Sequence, residues 1–134
     1  MLKDPIVIEL KKNGYAELPL RGQLASSTAV VVSAKVSKTY NKIIDELAKQ
    51  RGLTKSDAIR AAIEKYVLTN DHPNRTEIEY ASNKLSNYPL SMITIRIERD
   101  KHSQLVSLAS RYKLHMTDLM RYAVFQLLNE EKVI

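Results

Sequence analysis

No cysteine occurs in this chain of 134 residues. That removes any disulfide framework and any thiolate metal site, and it leaves no positive sign of an oxidising compartment. Long apolar runs are missing as well: none approaches the roughly 20 residues that span a bilayer, so no membrane partner is expected. The start, Met1-Leu2-Lys3-Asp4-Pro5, lacks the apolar core of a signal peptide, and an intracellular, cytoplasmic protein is expected. His72, His102 and His115 lack metal-ligand spacing, and no nucleophile–base pair or phosphate loop is visible. Asp57 and Asp118 form a tempting pair of carboxylates, but helix-cap duty explains both. The expectation is a protein with no catalytic residues, no metal and no cofactor.

What is present suits one compact domain, or two small ones that share a core. The hydrophobic fraction of 44% is ordinary, so disorder is not expected. The net charge of +6 is unevenly spread. Residues 1–30 carry +1, residues 31–70 carry +4, residues 71–91 carry −1 and residues 92–134 carry +2. A solvated basic surface is the commonest meaning of so modest an excess; a polyanionic partner is the sharper one.

Two short stretches share one pattern. In Val31-Val32-Ser33-Ala34-Lys35-Val36, residues Val32, Ala34 and Val36 point one way and Ser33 and Lys35 the other. In Met92-Ile93-Thr94-Ile95-Arg96-Ile97, Ile93, Ile95 and Ile97 oppose Thr94 and Arg96. Each strand has one face to bury. The other carries a hydroxyl and a cation, a poor choice for a core and a good one for reading a base edge. Taken singly, such a strand is more often an ordinary half-buried one.

Around them the chain reads mainly as helix. Residues 5–20 predict a β-hairpin turning at Lys12-Asn13-Gly14, with Ile6, Ile8, Leu10, Ala16, Leu18 and Leu20 on one face. After the first strand, Thr39 is the expected cap of a helix carrying Tyr40, Ile43, Ile44, Leu47 and Ala48, stopped at Gly52. Thr54 and Asp57 then form an acidic capping box for a second helix, carrying Ala58, Ile59, Ala62, Ile63, Tyr66 and Val67 and ending near Asn70. Asp71-His72-Pro73-Asn74 breaks the chain, and a short helix over 76–85 is expected, with Thr76 and Glu79 as its capping box.

The strand-helix-helix order then repeats at a constant offset of 61 residues. Leu47, Ala48, Leu53, Asp57, Arg60 and Ala62 recur as Leu108, Ala109, Leu114, Asp118, Arg121 and Ala123. Asp100 takes the place of Thr39 as a cap. Lys113 replaces Gly52 and would cost about 1 kcal/mol in a left-handed conformation. His115 replaces the capping Thr54. The chain thus divides into a hairpin and connector over 1–28, a first unit over 29–70, a linker over 71–90 and a second unit over 91–134. Val36, Ile44, Leu47, Ile63, Ile97, Leu105, Leu108 and Val124 are expected in one core. The two copies are expected to pair with each other within one chain, Lys35 facing Arg96, and their unequal equivalent positions, Ala34 small where Ile95 is large and Ala58 small where Leu119 is large, to complement one another; pairing between chains is the alternative.

The alternating strand, the two helices and the segment Gly52-Leu53-Thr54-Lys55-Ser56-Asp57-Ala58-Ile59-Arg60 resemble the ribbon-helix-helix family of transcriptional regulators, the Arc and MetJ repressor type. The resemblance covers residues 31–68 and again 92–129; two units in one chain look like the tandem regulators of archaeal filamentous viruses, which would place it in a host cytoplasm. It implies a mainly α fold with a short antiparallel ribbon whose polar side enters the major groove of double-stranded operator DNA. By matching positions, Ser33, Lys35, Thr94 and Arg96 would read bases, while Val31 and Met92 offer only apolar contact. Phosphates would be held at the second-helix starts, Thr54-Lys55-Ser56 and His115-Met116-Thr117, flanked by Lys38 and Arg99. Arg60 and Arg121 fit either a phosphate contact or a structural ion pair. The hairpin would join neighbouring chains along DNA. An antitoxin-like interaction module is the alternative function, although residues 130–134 leave almost no tail for it.

Overall fold

The computed structural model describes residues 29–69 and 74–132. The hairpin expected over 5–20, and the self-association expected of it, lie outside the described residues. Alternation of β-branched and polar residues produces two strands, β1 (Ala29–Ser37) and β2 (Leu90–Glu98). They pair antiparallel, with Ser33 opposite Thr94 at the centre and Ala29 opposite Glu98 and Ser37 opposite Leu90 at the ends. Ser33 and Thr94 are equivalent positions of the 61-residue repeat. A pseudo-twofold axis therefore passes between them. This register moves one expected partner: Lys35 lies opposite Met92 rather than Arg96. An antiparallel pairing centred on equivalent residues throws all other equivalents to opposite ends, and this separates Lys35 from Arg96.

Among the described residues there are five α-helices, α1 (Lys38–Gln50), α2 (Lys55–Ile63), α3 (Arg75–Lys84), α4 (Arg99–Tyr112) and α5 (Met116–Glu130); α1, α2, α4 and α5 pack on the ribbon, and α3 packs on α5. A π-helical turn, Glu64–Leu68, extends α2. The units interlock: α2 packs on β2 and α5 on β1, and α2 and α5 pack on each other. One continuous core results, with Val32, Ala34, Val36, Ile44, Ile59 and Ile63 buried beside Ile93, Ile95, Ile97, Leu105, Leu119 and Val124. Leu47 and Leu108 do not join it fully. Both are half-buried and pack against its rim, because they face the outer flank of α1 and α4.

The two helix starts after the strands differ from expectation. α1 begins at Lys38, before Thr39, and Ser37 makes no side-chain cap. Carbonyls of the connecting segment satisfy the first N–H groups instead: Ser37 donates to Leu85 O (2.6 Å) and Lys38 to Pro89 O (2.8 Å). α4 begins at Arg99 directly from the strand, which puts Asp100 in its first turn rather than at the cap. There its charge still favours the helix N-terminus. α3 is capped by Asn74, whose side chain accepts from Glu77 N–H (3.1 Å), not by Thr76. This connecting helix is no loose tether. Ile78, Ala81, Ser82 and Leu85 are buried, and α3 lies along α5.

Both inter-helix turns have the same geometry. Gly52 has φ 70°, and Leu53 N–H reaches back to Ala48 O at 2.8 Å. Lys113 has φ 56° and ψ 46°, and Leu114 N–H reaches Ala109 O at 2.8 Å. Such a turn needs a left-handed residue, and a side chain there is disfavoured. Lys113→Gly is expected to raise the unfolding free energy by about 0.5–1 kcal/mol, part of the strain being offset by glycine's freer unfolded chain. Chemical denaturation checks this; a destabilised variant would mean that the lysine side chain contributes more than the strain.

Candidate nucleic-acid interface

The face of the ribbon turned away from the helices is built of six exposed residues: Val31, Ser33 and Lys35 from β1, and Met92, Thr94 and Arg96 from β2. Their arrangement follows from the register. Ser33 and Thr94 place two hydroxyls at the centre, Arg96 sits opposite Val31, and Lys35 sits opposite Met92. The two cations thus occupy diagonal corners and the two apolar side chains the others. Arg96 lies four residue steps along the strand from Met92, the partner of Lys35, so the cations lie about 13 Å apart along the ribbon. Val31 and Met92 are 57% and 53% exposed, too much for side chains that serve the core.

At the start of α2, Asp57 N–H donates to Thr54 Oγ1 (3.1 Å) and Thr54 N–H to Asp57 Oδ2 (3.4 Å). The capping box thereby occupies the hydroxyl of Thr54. The backbone N–H groups of Lys55 and Ser56 are left as orphan donors of the first turn. At the start of α5, His115 N–H donates to Asp118 Oδ2 (3.1 Å), and the N–H groups of Met116 and Thr117 hold the corresponding positions.

The flanks of the ribbon are unequal. Beside the start of α2, a shallow depression of about 260 Å³ is lined by Lys38, Asn41, Lys42, Asp45, Lys55 and Ser91. Within it Lys55 Nζ donates to Asn41 Oδ1 (2.8 Å), and Asn41 Nδ2 donates to Ser91 Oγ. The carboxylate of Asp45 is drawn off by Lys49 at 3.5 Å. Adding the repeat offset of 61 residues to Lys38, Asn41, Lys42, Asp45 and Lys55 gives Arg99, His102, Ser103, Val106 and Met116. That flank has one fixed cation and exposes Val106. Lys42, Asn41 and Ser91 are missed by reading the sequence, since one strand's start is brought to the other unit's helices only by the ribbon pairing. The spacing of Lys38 and Lys42 on one helix face was the available signal.

Arg60 and Arg121 do not face outward with these groups. Arg60 is buried, ion-paired with Asp57, and donates through Nη1 to the backbone carbonyl of Arg96 (2.9 Å). Arg121 donates through Nε to the carbonyl of Lys35 (2.8 Å) and through Nη1 to Ser82 Oγ (3.1 Å), which in turn donates to Asp118 (2.7 Å). Both make an ion pair with the aspartate three residues before them, Arg60 with Asp57 and Arg121 with Asp118 at 3.8 Å, which is one of their two sequence readings. Among the described residues, no group of three or more His, Asp or Glu side chains is placed to hold a metal ion, and no helix is long and apolar enough to cross a membrane.

No curated protein and no solved structure matches the chain. A family model does match part of it, over residues 30–69, which take in β1, α1, α2 and the π-helical turn. The family consists in general of DNA-binding transcription regulators and antitoxins. The first strand and its two helices are therefore similar to the ribbon-helix-helix proteins of the copG family.

Proposed function

We propose that the chain is a sequence-specific regulator of transcription that binds double-stranded DNA, and that its two strand-helix-helix units act as one tandem ribbon-helix-helix reader. The observation that carries this is the outward face of the ribbon: six exposed side chains, related by a pseudo-twofold axis through Ser33 and Thr94. The major groove is about 12 Å wide and admits a two-stranded ribbon. A separation of about 13 Å between the two cations corresponds to about four base steps of 3.4 Å. Arg96 reads guanine through O6 and N7; Lys35 approaches the same atoms, and the hydroxyls of Ser33 and Thr94 serve several bases. Val31 and Met92, the apolar corners, suit thymine methyl groups. Because Lys35 and Arg96 differ, as do Val31 and Met92, the preferred site is not a palindrome.

Phosphate contacts supply most of the affinity. The orphan N–H groups at the starts of α2 and α5, with Lys38, Lys55 and Arg99, are the donors in this proposal, and the lysine-lined depression makes the α2 flank the stronger of the two.

Selection of bound fragments from a random duplex pool tests the proposal: a defined motif supports it, and retention of no duplex overturns it. Arg96→Ala should then lose about 1–3 kcal/mol of base discrimination while the fold is kept. Lys38→Ala should weaken binding to all sequences alike and lower the slope of log K against log salt by about 1. Competition gel shifts at several salt concentrations read both, and an unchanged preference in Arg96→Ala removes that residue from the readers.

A further inference from the structure

The contacts of Arg60 and Arg121 form a crossed pair. Arg60 belongs to the first unit and holds the carbonyl of Arg96, in the second; Arg121 belongs to the second and holds the carbonyl of Lys35, in the first. Both arginines and both acceptors are related by the offset of 61 residues, so the two contacts are one contact made twice. The means differ. Arg60 uses Nη1 and is braced by Asp57, while Arg121 uses Nε and is braced by Ser82 of α3 and, at 3.8 Å, by Asp118. The shared outcome is a guanidinium fixed to the backbone of one residue on each strand. In both cases that residue is the cation of the outward face.

We infer that Arg60 and Arg121 are positioning residues for base reading, each setting the reader of the opposite unit: Arg60 sets Arg96, and Arg121 sets Lys35. The inference rests on the DNA-reading proposal above. A two-stranded ribbon has two outer edges whose backbone groups lack a ladder partner, and it is free to twist and flex along them. A carbonyl shares its peptide plane with the Cα that precedes it. Fixing the carbonyl of Arg96 or Lys35 therefore fixes the direction in which that reader's side chain leaves the strand. Two-point hydrogen bonding to a base edge tolerates little error, because donor–acceptor bonds weaken steeply away from about 2.9 Å and a linear angle. The arginines themselves never need to touch DNA. Arg60 is only 5% exposed.

A merely structural role would loosen the ribbon as a whole. The positioning role predicts a crossed pattern, which double-mutant cycles on the full chain can read. The preferred duplex and its single-base-pair variants are titrated with wild type, Arg60→Met, Arg121→Met, Lys35→Ala, Arg96→Ala and the four pairwise combinations. Methionine keeps most of the apolar stem and removes the donors. Arg121→Met is expected to lose about tenfold in discrimination at the base pair that Lys35 reads, a loss within the range of one such contact. It should add nothing further to Lys35→Ala, and its full effect to Arg96→Ala. Arg60→Met should show the mirror pattern with Arg96. If Arg60→Met melts below the assay temperature, Arg121→Met, whose side chain is 17% exposed, and Arg60→Lys, which retains a donor and should recover discrimination, carry the test. Equal losses at both base pairs, additivity with both readers, or unchanged discrimination in Arg121→Met would overturn the inference. Wild type that binds duplexes without any base preference would instead overturn the reading on which it rests.

Discussion

Ile78→Ala, in the segment that connects the two units, is expected to lower the unfolding free energy by about 2–5 kcal/mol, as much as Leu105→Ala in the second unit itself. Both side chains are almost wholly shielded, at 0% and 1% exposure. Ile78 sits on α3 with Ala81 one turn on and Leu85 beyond, and this stripe lies along α5. Truncating it opens a cavity between two helices that cannot easily collapse, since α3 is tied at its far end: Leu85 O accepts from Ser37 N–H at 2.6 Å. The connecting helix is therefore a structural layer over the second unit. Urea denaturation of the full chain measures the change. A cost below about 0.5 kcal/mol, the range of an exposed site, would show that α3 is a tether after all.

The docking of α3 was not legible in the sequence for a physical reason. Its few apolar residues, Ile78, Ala81 and Leu85, give a weak stripe in a polar segment, and what buries them is the exposed flank of α5, which no local pattern announces. Other features were legible because they are local. The alternation of β1 and β2 dictated which residues face out, and Thr54 with Asp57 marked a helix start that the structure closes with both expected hydrogen bonds. Lys113 occupies the left-handed position that its alignment with Gly52 required. Where partners come from far along the chain, local signals failed. Thr39 and Asp100 are poor caps because backbone carbonyls of the connecting segment and an unbroken strand, respectively, define those helix starts. Leu47 and Leu108 have the spacing of core residues, yet among the described residues the ribbon is two strands wide and covers one side of α1 and α4. Their truncation to alanine should accordingly cost less than that of Ile44 or Leu105, which are buried. The outward face shows the same division. Its six residues are readable from alternation, but which of them stand opposite one another is decided by the register.

The midpoint of chemical denaturation is expected to stay constant when the chain is diluted a hundredfold, for example from 50 to about 0.5 μM. A ribbon formed between two chains would behave differently. Folding would then be coupled to association, and a hundredfold dilution would remove about 2.7 kcal/mol, from RT ln 100, out of a total of about 5–15 kcal/mol. The structure forms its ribbon within one chain: β1 pairs with β2 over nine residues, and the second helix of each unit lies on the strand of the other. Among the described residues, the ribbon and the helix contacts that a pair of chains would supply are then intramolecular, and the partner strand is present at an effective concentration no dilution can change. The segment between Thr69 and Leu90 is also long enough to permit this and is partly spent on α3, which docks on the same core. Circular dichroism followed in urea at both concentrations gives the result. A shift of the midpoint corresponding to 2–3 kcal/mol, with an unchanged m-value, would mean that strands are exchanged between chains, and that one chain does not complete the six-residue face.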